Sequence, residues 1–184
     1  HEVAINAFTG PPVIPPLSQI LKRALSVHFI EAVRVSNDPR FLTTVVPAGN
    51  IVTSANEASR FMQLLLDGGE LDGVRVFETR TIQRAVAEQT FFEIDLTMGA
   101  PIRYSMGFIL GARVASLYGF NSPRAFGHLG FTNVFVYADP SRDIAVGFMT
   151  SGKPALSPGI ARTLLVMQTI AAKIPRDGTG PLRR

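Results

Sequence analysis

Residues 126–133 read FGHLGFTN, and they place a histidine, His128, between Gly127 and Gly130 in a strand-forming context. An imidazole changes charge near neutral pH, so it can donate, accept or hold a proton beside a reacting group. The chain has three histidines and no cysteine in 184 residues. The missing cysteines exclude a thiol nucleophile, a thiolate metal site and a disulfide framework. His1, His28 and His128 stand far apart, which argues against a histidine-rich metal centre, so neither metal nor other cofactor is expected. No G-x-S-x-G nucleophile elbow occurs anywhere in the sequence. Taken alone, His128 reads as a strand histidine satisfied by a backbone carbonyl. The flanking glycines and the DPSRD turn behind it favour the wall of an active site instead. His28, between Leu25 and Phe29, reads as a core-edge residue.

The elements that must position His128 follow from periodicity and punctuation. Residues 1–15 read as extended chain broken by Gly10, Pro11, Pro12 and Pro15. Pro16 suits the first turn of a helix, where its missing N–H costs nothing. Leu17, Ile20, Leu21, Ala24, Leu25, Phe29, Ala32 and Val33 then continue at helical spacing until SNDPR stops them. Ser54 and Glu57 form a capping box for a helix that presents Phe61, Leu64 and Leu65 inward and stops at Gly68. That capping role is also the reading of Glu57, the best-placed carboxylate. Asp72-Gly73 closes a short hairpin. A further helix runs from about Thr79 to Glu88, with Ile82, Ala85 and Val86 inward. RYSMGFIL alternates as a half-buried strand, with Tyr104, Met106, Phe108 and Leu110 on one side. FGHLGF, NVFVYA and IAVGFMT complete an antiparallel meander of three to four strands. Ser157 and Pro158 open a last helix that turns Ala161, Leu164, Leu165 and Ile174 to the sheet. The fold class is α+β: an antiparallel sheet with flanking helices.

Hydrophobic residues make up 46% of the sequence and charged residues 17%, a globular composition with one sizeable core. No apolar run reaches the ~18 to 20 residues of a membrane span. The opening HEVAINAFTGPPVIPP has neither the charged head nor the apolar run of a signal peptide. The net charge of +4 raises the question of nucleic acid, but the arginines are scattered and cluster only in PRDGTGPLRR. A nucleic-acid face needs a basic stripe with aromatic residues interleaved, so no nucleic-acid partner is expected and residues 175–184 read as a basic, solvated tail. Residues 1–44 read as an N-terminal extended segment and helix, and 45–174 as the body of the domain.

Two blocks, PAGNIVTSANEASRFMQLLLDGGELDGVRVFETRTI and FGHLGFTNVFVYADPSRDIAVGFMTSG, resemble the C-terminal half of the serine β-lactamase-related hydrolases. That group holds class C β-lactamases, β-lactamase-like esterases and lipases, and DD-peptidases. The likeness covers roughly residues 45–172, in the right order. It implies a β-lactamase-like fold of which this chain holds only the later half. In that family an H-x-G word, here His128, Leu129 and Gly130, takes the place of K-T-G on the strand bordering the active site. An acyl substrate can lie along such a strand edge, and Gly130 removes a side chain where it approaches. The amide of Phe131 is implied as the second oxyanion donor, with Leu129, Gly130 and Asn133 lining the substrate site. Leu129, Phe131 and Phe135 suit an apolar acyl group, so esterase or lipase is preferred to β-lactamase.

The family's nucleophile word, S-x-x-K, puts a lysine one helical turn after the serine to take its proton. It is absent. Ser54, Ser59, Ser116 and Ser141 lead to Glu57, Met62, Gly119 and Ile144, and Lys22, Lys153 and Lys173 are preceded three places back by Gln19, Thr150 and Ile170. Tyr-x-Asn or Tyr-x-Ser is absent too: Tyr104, Tyr118 and Tyr137 lead to Met106, Phe120 and Asp139. In relatives both words lie upstream of the first block, and His1 stands where a natural chain opens with Met. The expectation is a serine hydrolase acting on a small-molecule ester or amide, its nucleophile carried by a missing N-terminal half of the same protein, and this chain inactive alone. The alternative is a non-catalytic module that holds a peptide or partner at its sheet edge. Where relatives often carry glycine, Asn50 and Asn133 stand here; asparagine tolerates left-handed backbone, and Asn133 is expected to narrow the cleft.

Overall fold

The computed structural model describes residues 3–47, 49–90, 93–96, 100–155, 158–177 and 182. Along the chain, β1 (Ala7–Phe8) precedes three helices, α1 (Leu17–Leu25), α2 (Phe29–Val35) and α3 (Pro39–Thr43). The single helix expected over 17–33 is thus two. Ser26 adopts φ 63°, a left-handed stop, and His28 is extended at φ −64°, ψ 146° to start the next helix. Helical spacing survives such a break, so periodicity alone cannot see it. Asp38 accepts from the Arg40 amide at 2.8 Å and caps α3, with Pro39 inside its first turn. The SNDPR stop is therefore also a start.

Helix α4 (Ala55–Leu66) begins at the expected capping box: the Glu57 N–H donates to Ser54 Oγ and the Ser54 N–H donates to Glu57 Oε2. The bond from the Ser54 N–H, and after it one from the Ser54 hydroxyl at 2.8 Å, hold the Glu57 carboxyl below its usual range. Gly68, at φ 72°, follows its end. Met62, Leu65 and Leu66 face the core while Phe61 is 49% exposed, one position off the expected face. The strands β2 (Glu70–Leu71) and β3 (Val74–Arg75) pair around Asp72 and Gly73, both at positive φ, as a two-residue turn requires. Helix α5 (Thr79–Ala85) turns Ile82 inward.

A six-stranded antiparallel sheet follows: β4 (Glu93–Asp95), β5 (Ala100–Tyr104), β6 (Ile109–Leu110), β7 (Phe126–Leu129), β8 (Val134–Asp139) and β9 (Ile144–Met149), in that spatial order. RYSMGFIL is not one strand. Gly107, at φ 101°, turns it back so that Tyr104 pairs with Ile109, and Met106 stands 71% exposed at the bend. The short β10 (Gly152–Lys153) pairs in parallel with β1, and α6 (Pro158–Lys173) closes the chain. Ser157, its expected cap, lies outside the described residues.

Alternation along β8 divides the core. Val136 and Ala138 pack with Phe126, Met62, Leu65, Leu66 and Ile82 on the α4–α5 face. Phe135 and Tyr137 pack with Ile109, Tyr118 and Met167 on the α6 face, where Phe135 stacks on Phe148 at 4.8 Å. On α6 the inward residues are Leu164, Met167, Ile170 and Ala171, while Ala161 and Leu165 face solvent. Leu182, from the segment read as a solvated tail, is buried in the α4–α5 cluster, and its carbonyl accepts from Arg124.

Helix α4 lies very close to β9. A Cβ on Gly147 would stand 2.3 Å from the Ala55 carbonyl oxygen, a backbone atom that cannot step aside. Gly147→Ala is therefore expected to lower stability by about 2 kcal/mol, the scale of an overpacked core, as read from the midpoint of urea denaturation.

Candidate functional site

His128 is the third residue of β7 and pairs with Val136, which in turn pairs with Gly147. It shares the α4–α5 face of the sheet with Phe126, but unlike Phe126 its side chain is exposed. Its Nδ1 lies 2.6 Å from the Leu129 carbonyl oxygen. That carbonyl can only accept, so Nδ1 is the donor in this contact. One ring nitrogen is satisfied by backbone and the other is open to solvent. The two glycines around it serve different needs. A Cβ on Gly127 would fall 2.2 Å from the Val136 oxygen, so Gly127 is a packing requirement. A Cβ on Gly130 would sit 3.1 Å from Val134 Cγ1, and the Gly130 N–H donates to the Val134 oxygen at 2.9 Å. A side chain at 130 would require Val134 to shift slightly.

Residues 130–133 form the loop joining β7 to β8. The Phe131 ring packs on Phe29 of α2 at 5.2 Å, within a cluster that docks α1 and α2 against this end of the sheet. Among the described residues its N–H has no hydrogen-bond partner. Thr132 and Asn133 are left-handed, at φ 31° and 53°. Asn133 thus adopts the backbone that asparagine tolerates. Its side chain is committed elsewhere, with Oδ1 accepting from Thr163 Oγ1 of α6 at 2.8 Å and its carbonyl accepting from Thr150 Oγ1 at 3.2 Å. Asn50 does not adopt positive φ; its amide bonds the Phe41 and Thr44 carbonyls and fixes the loop before α4.

The expected apolar acyl pocket does not form from the residues proposed for it. Phe135 is 0% exposed in the α6-face core, Leu129 packs against the same cluster, and the Phe131 ring belongs to the α2 contact. Strand alternation sends residues 129 and 135 to the face opposite His128. His28 is exposed at the start of α2, in an open depression with Lys22, Val27 and Arg34, and makes no cap bond. It is not the core-edge residue that its place between Leu25 and Phe29 suggests, because the chain breaks there. His1 lies outside the described residues.

The three tyrosines offer no base near neutral pH. Burial holds Tyr118 and Tyr137 well above the ordinary phenol range, and burial with a hydrogen bond to Asp95 pushes Tyr104 up to about 12. Sequence reasoning passed over one residue beside the loop. Lys153 of β10 is 4% exposed, and its Nζ donates to the Thr150 oxygen at 2.8 Å and the Thr132 oxygen at 3.5 Å. Burial lowers its pKa. The signal was available: a lone lysine directly after an apolar strand, in TSGK.

A family profile described as Beta-lactamase matches residues 9–170. The chain belongs to the beta-lactamase family. The likeness of this beta-lactamase-family chain extends to solved structures. A family VIII carboxylesterase shares 26% identity and a TM-score of 0.63, over 74% of this chain and 37% of its own. A penicillin-binding protein homolog from Caulobacter crescentus gives 22% and 0.65, over 88% and 41%. EstA from Arthrobacter nitroguajacolicus Rue61a gives 22% and 0.64, over 92% and 46%. At that identity the last two speak to the fold. The chain spans less than half the length of each. No curated protein matches it. Among the described residues, no three His, Asp or Glu side chains gather as metal ligands and no helix is long and apolar enough to cross a membrane.

Proposed function

We propose that this chain forms the sheet wall of a serine hydrolase of carboxylesterase type, and that the serine and lysine of S-x-x-K come from sequence outside residues 1–184. The observation that carries the reading is an exposed imidazole on His128 and, three residues on in a tight loop, a Phe131 main-chain N–H with no hydrogen-bond partner among the described residues. In acyl transfer the serine oxygen attacks the ester carbonyl carbon as its proton passes to the neighbouring base. The charge that grows on the carbonyl oxygen is met by main-chain N–H groups, the Phe131 amide among them. The C–O bond to the alcohol then breaks, the alcohol oxygen takes up a proton, and water later releases the acid. In this reading His128 Nε2 exchanges a proton in that network. The 26% identity to a carboxylesterase supports a small-molecule ester over a β-lactam.

The 184-residue chain alone is expected to give no burst with a chromogenic ester and no labelling by a fluorophosphonate. Joined to its upstream sequence, it is expected to be labelled on a serine of that sequence. Labelling of any serine within 1–184 defeats the reading. An unlabelled joined protein favours a non-catalytic module that binds a peptide at the sheet edge.

A further inference from the structure

Thr132 and Asn133 are consecutive non-glycine residues in left-handed backbone, a conformation that L side chains resist and that persists only when surroundings hold it. Four side chains do so here. Phe29 packs on Phe131, Thr150 and Thr163 bond Asn133, and Lys153 bonds the Thr132 carbonyl. Lys153 differs from the other three because it is a buried cation. Its Nζ bonds are to carbonyls, and among the described residues no carboxylate forms an ion pair with it. Burying a charge without a counter-ion is costly, and a lysine is not needed to fill that volume. What it does that an apolar residue cannot is gather the carbonyls of Thr132, in the loop, and Thr150, after β9.

We propose that Lys153 is a positioning residue: its ammonium ties the loop to the end of β9 and thereby fixes the Phe131 N–H for the oxyanion. The catalytic half of this rests on the function proposed above; the structural half does not. The peptide that Lys153 grips lies one residue beyond Phe131, so a released loop can rotate the donor away without disturbing the β7–β8 ladder.

The chain has no native cysteine, so Lys153→Cys can be alkylated alone under denaturing conditions and refolded. Bromoethylamine restores an ammonium of nearly lysine length; iodoacetamide gives a neutral side chain of similar size. In amide exchange and ¹⁵N spectra of the 184-residue chain, the neutral form is expected to shift the Phe131, Thr132 and Asn133 signals. It should also speed exchange of the Gly130 amide about tenfold, with the β8–β9 ladder unchanged, and the aminoethyl form is expected to reverse this. In the protein joined to its upstream sequence, kcat is expected to fall about tenfold in the neutral form with KM nearly constant, and to recover in the aminoethyl form. Unmoved loop signals, or losses spread evenly over the sheet, overturn the clamp. A moved loop with unchanged kcat overturns its catalytic half. Should the unsubstituted joined protein hydrolyse no ester, the function proposal fails, and the exchange arm still decides the clamp.

Discussion

Replacing His128 by alanine, in the protein joined to its upstream sequence, is expected to lower kcat for ester hydrolysis about 100-fold while the melting temperature moves by only a degree or two. The first figure is the low end of what a positioned proton-transfer group contributes. The second follows from exposure. The ring packs into neither core cluster, and its one bond is to the carbonyl of the next residue. Removing it opens no cavity, and the Leu129 carbonyl can turn to water instead. A strand histidine with only a structural role predicts the reverse, a melting temperature lowered by several degrees with turnover intact. The two outcomes separate in one steady-state assay and one thermal melt. His128→Gln sharpens the comparison, because it offers hydrogen bonds but no proton near neutral pH. Turnover close to alanine's assigns the effect to proton transfer; turnover close to that of histidine assigns it to hydrogen bonding alone.

What the sequence made legible was local. The Ser54–Glu57 box and the Asp72-Gly73 turn are each decided by residues within a few positions of one another, and each stands as expected. The strands around His128 were legible because they alternate and are bounded by strong turn residues. The breaks at Ser26 and Gly107 were not, since either residue can also sit inside a regular element and only the left-handed backbone seen in the structure reveals the stop. The candidate site divided in the same way. His128 and the Phe131 amide come from one eight-residue word, whereas the commitments of the Phe131 ring, Asn133 and Lys153 depend on partners 102, 30 and 21 residues away in sequence. The apolar pocket failed for a geometric reason. Leu129 and Phe135 are apolar and close to His128 in sequence, but a period of two places both on the other face.

At the far end of β8 from the His128 loop, Arg142→Ala is expected to lower folding stability by about 3–5 kcal/mol, the cost of leaving a buried charge without its partner. The Asp139 and Arg142 side chains are 1% and 4% exposed and meet at 2.5 Å. The same guanidinium donates to Ser122 Oγ and, through Nε and Nη2, to the Ala171 oxygen of α6 at 3.1 and 2.9 Å. It therefore joins the β8–β9 turn, the loop before β7 and the last helix. Alanine removes every donor at once, and a buried acceptor left unmade costs more than the bond contributed. The chain has no tryptophan, so urea denaturation is best followed by far-ultraviolet circular dichroism. Asp139→Asn combined with Arg142→Met takes away both charges and keeps much of the volume, and it is expected to recover at least half of the loss. Equal losses in the single and double variants would assign the stability to the hydrogen bonds on Ala171 and Ser122, and not to charge. In the joined protein, turnover per folded molecule is expected to stay unchanged in both variants. β8 runs six residues from the His128 loop to Asp139, about 17 Å at the rise of a strand, so the defect loosens the sheet at the end that holds no proposed catalytic group.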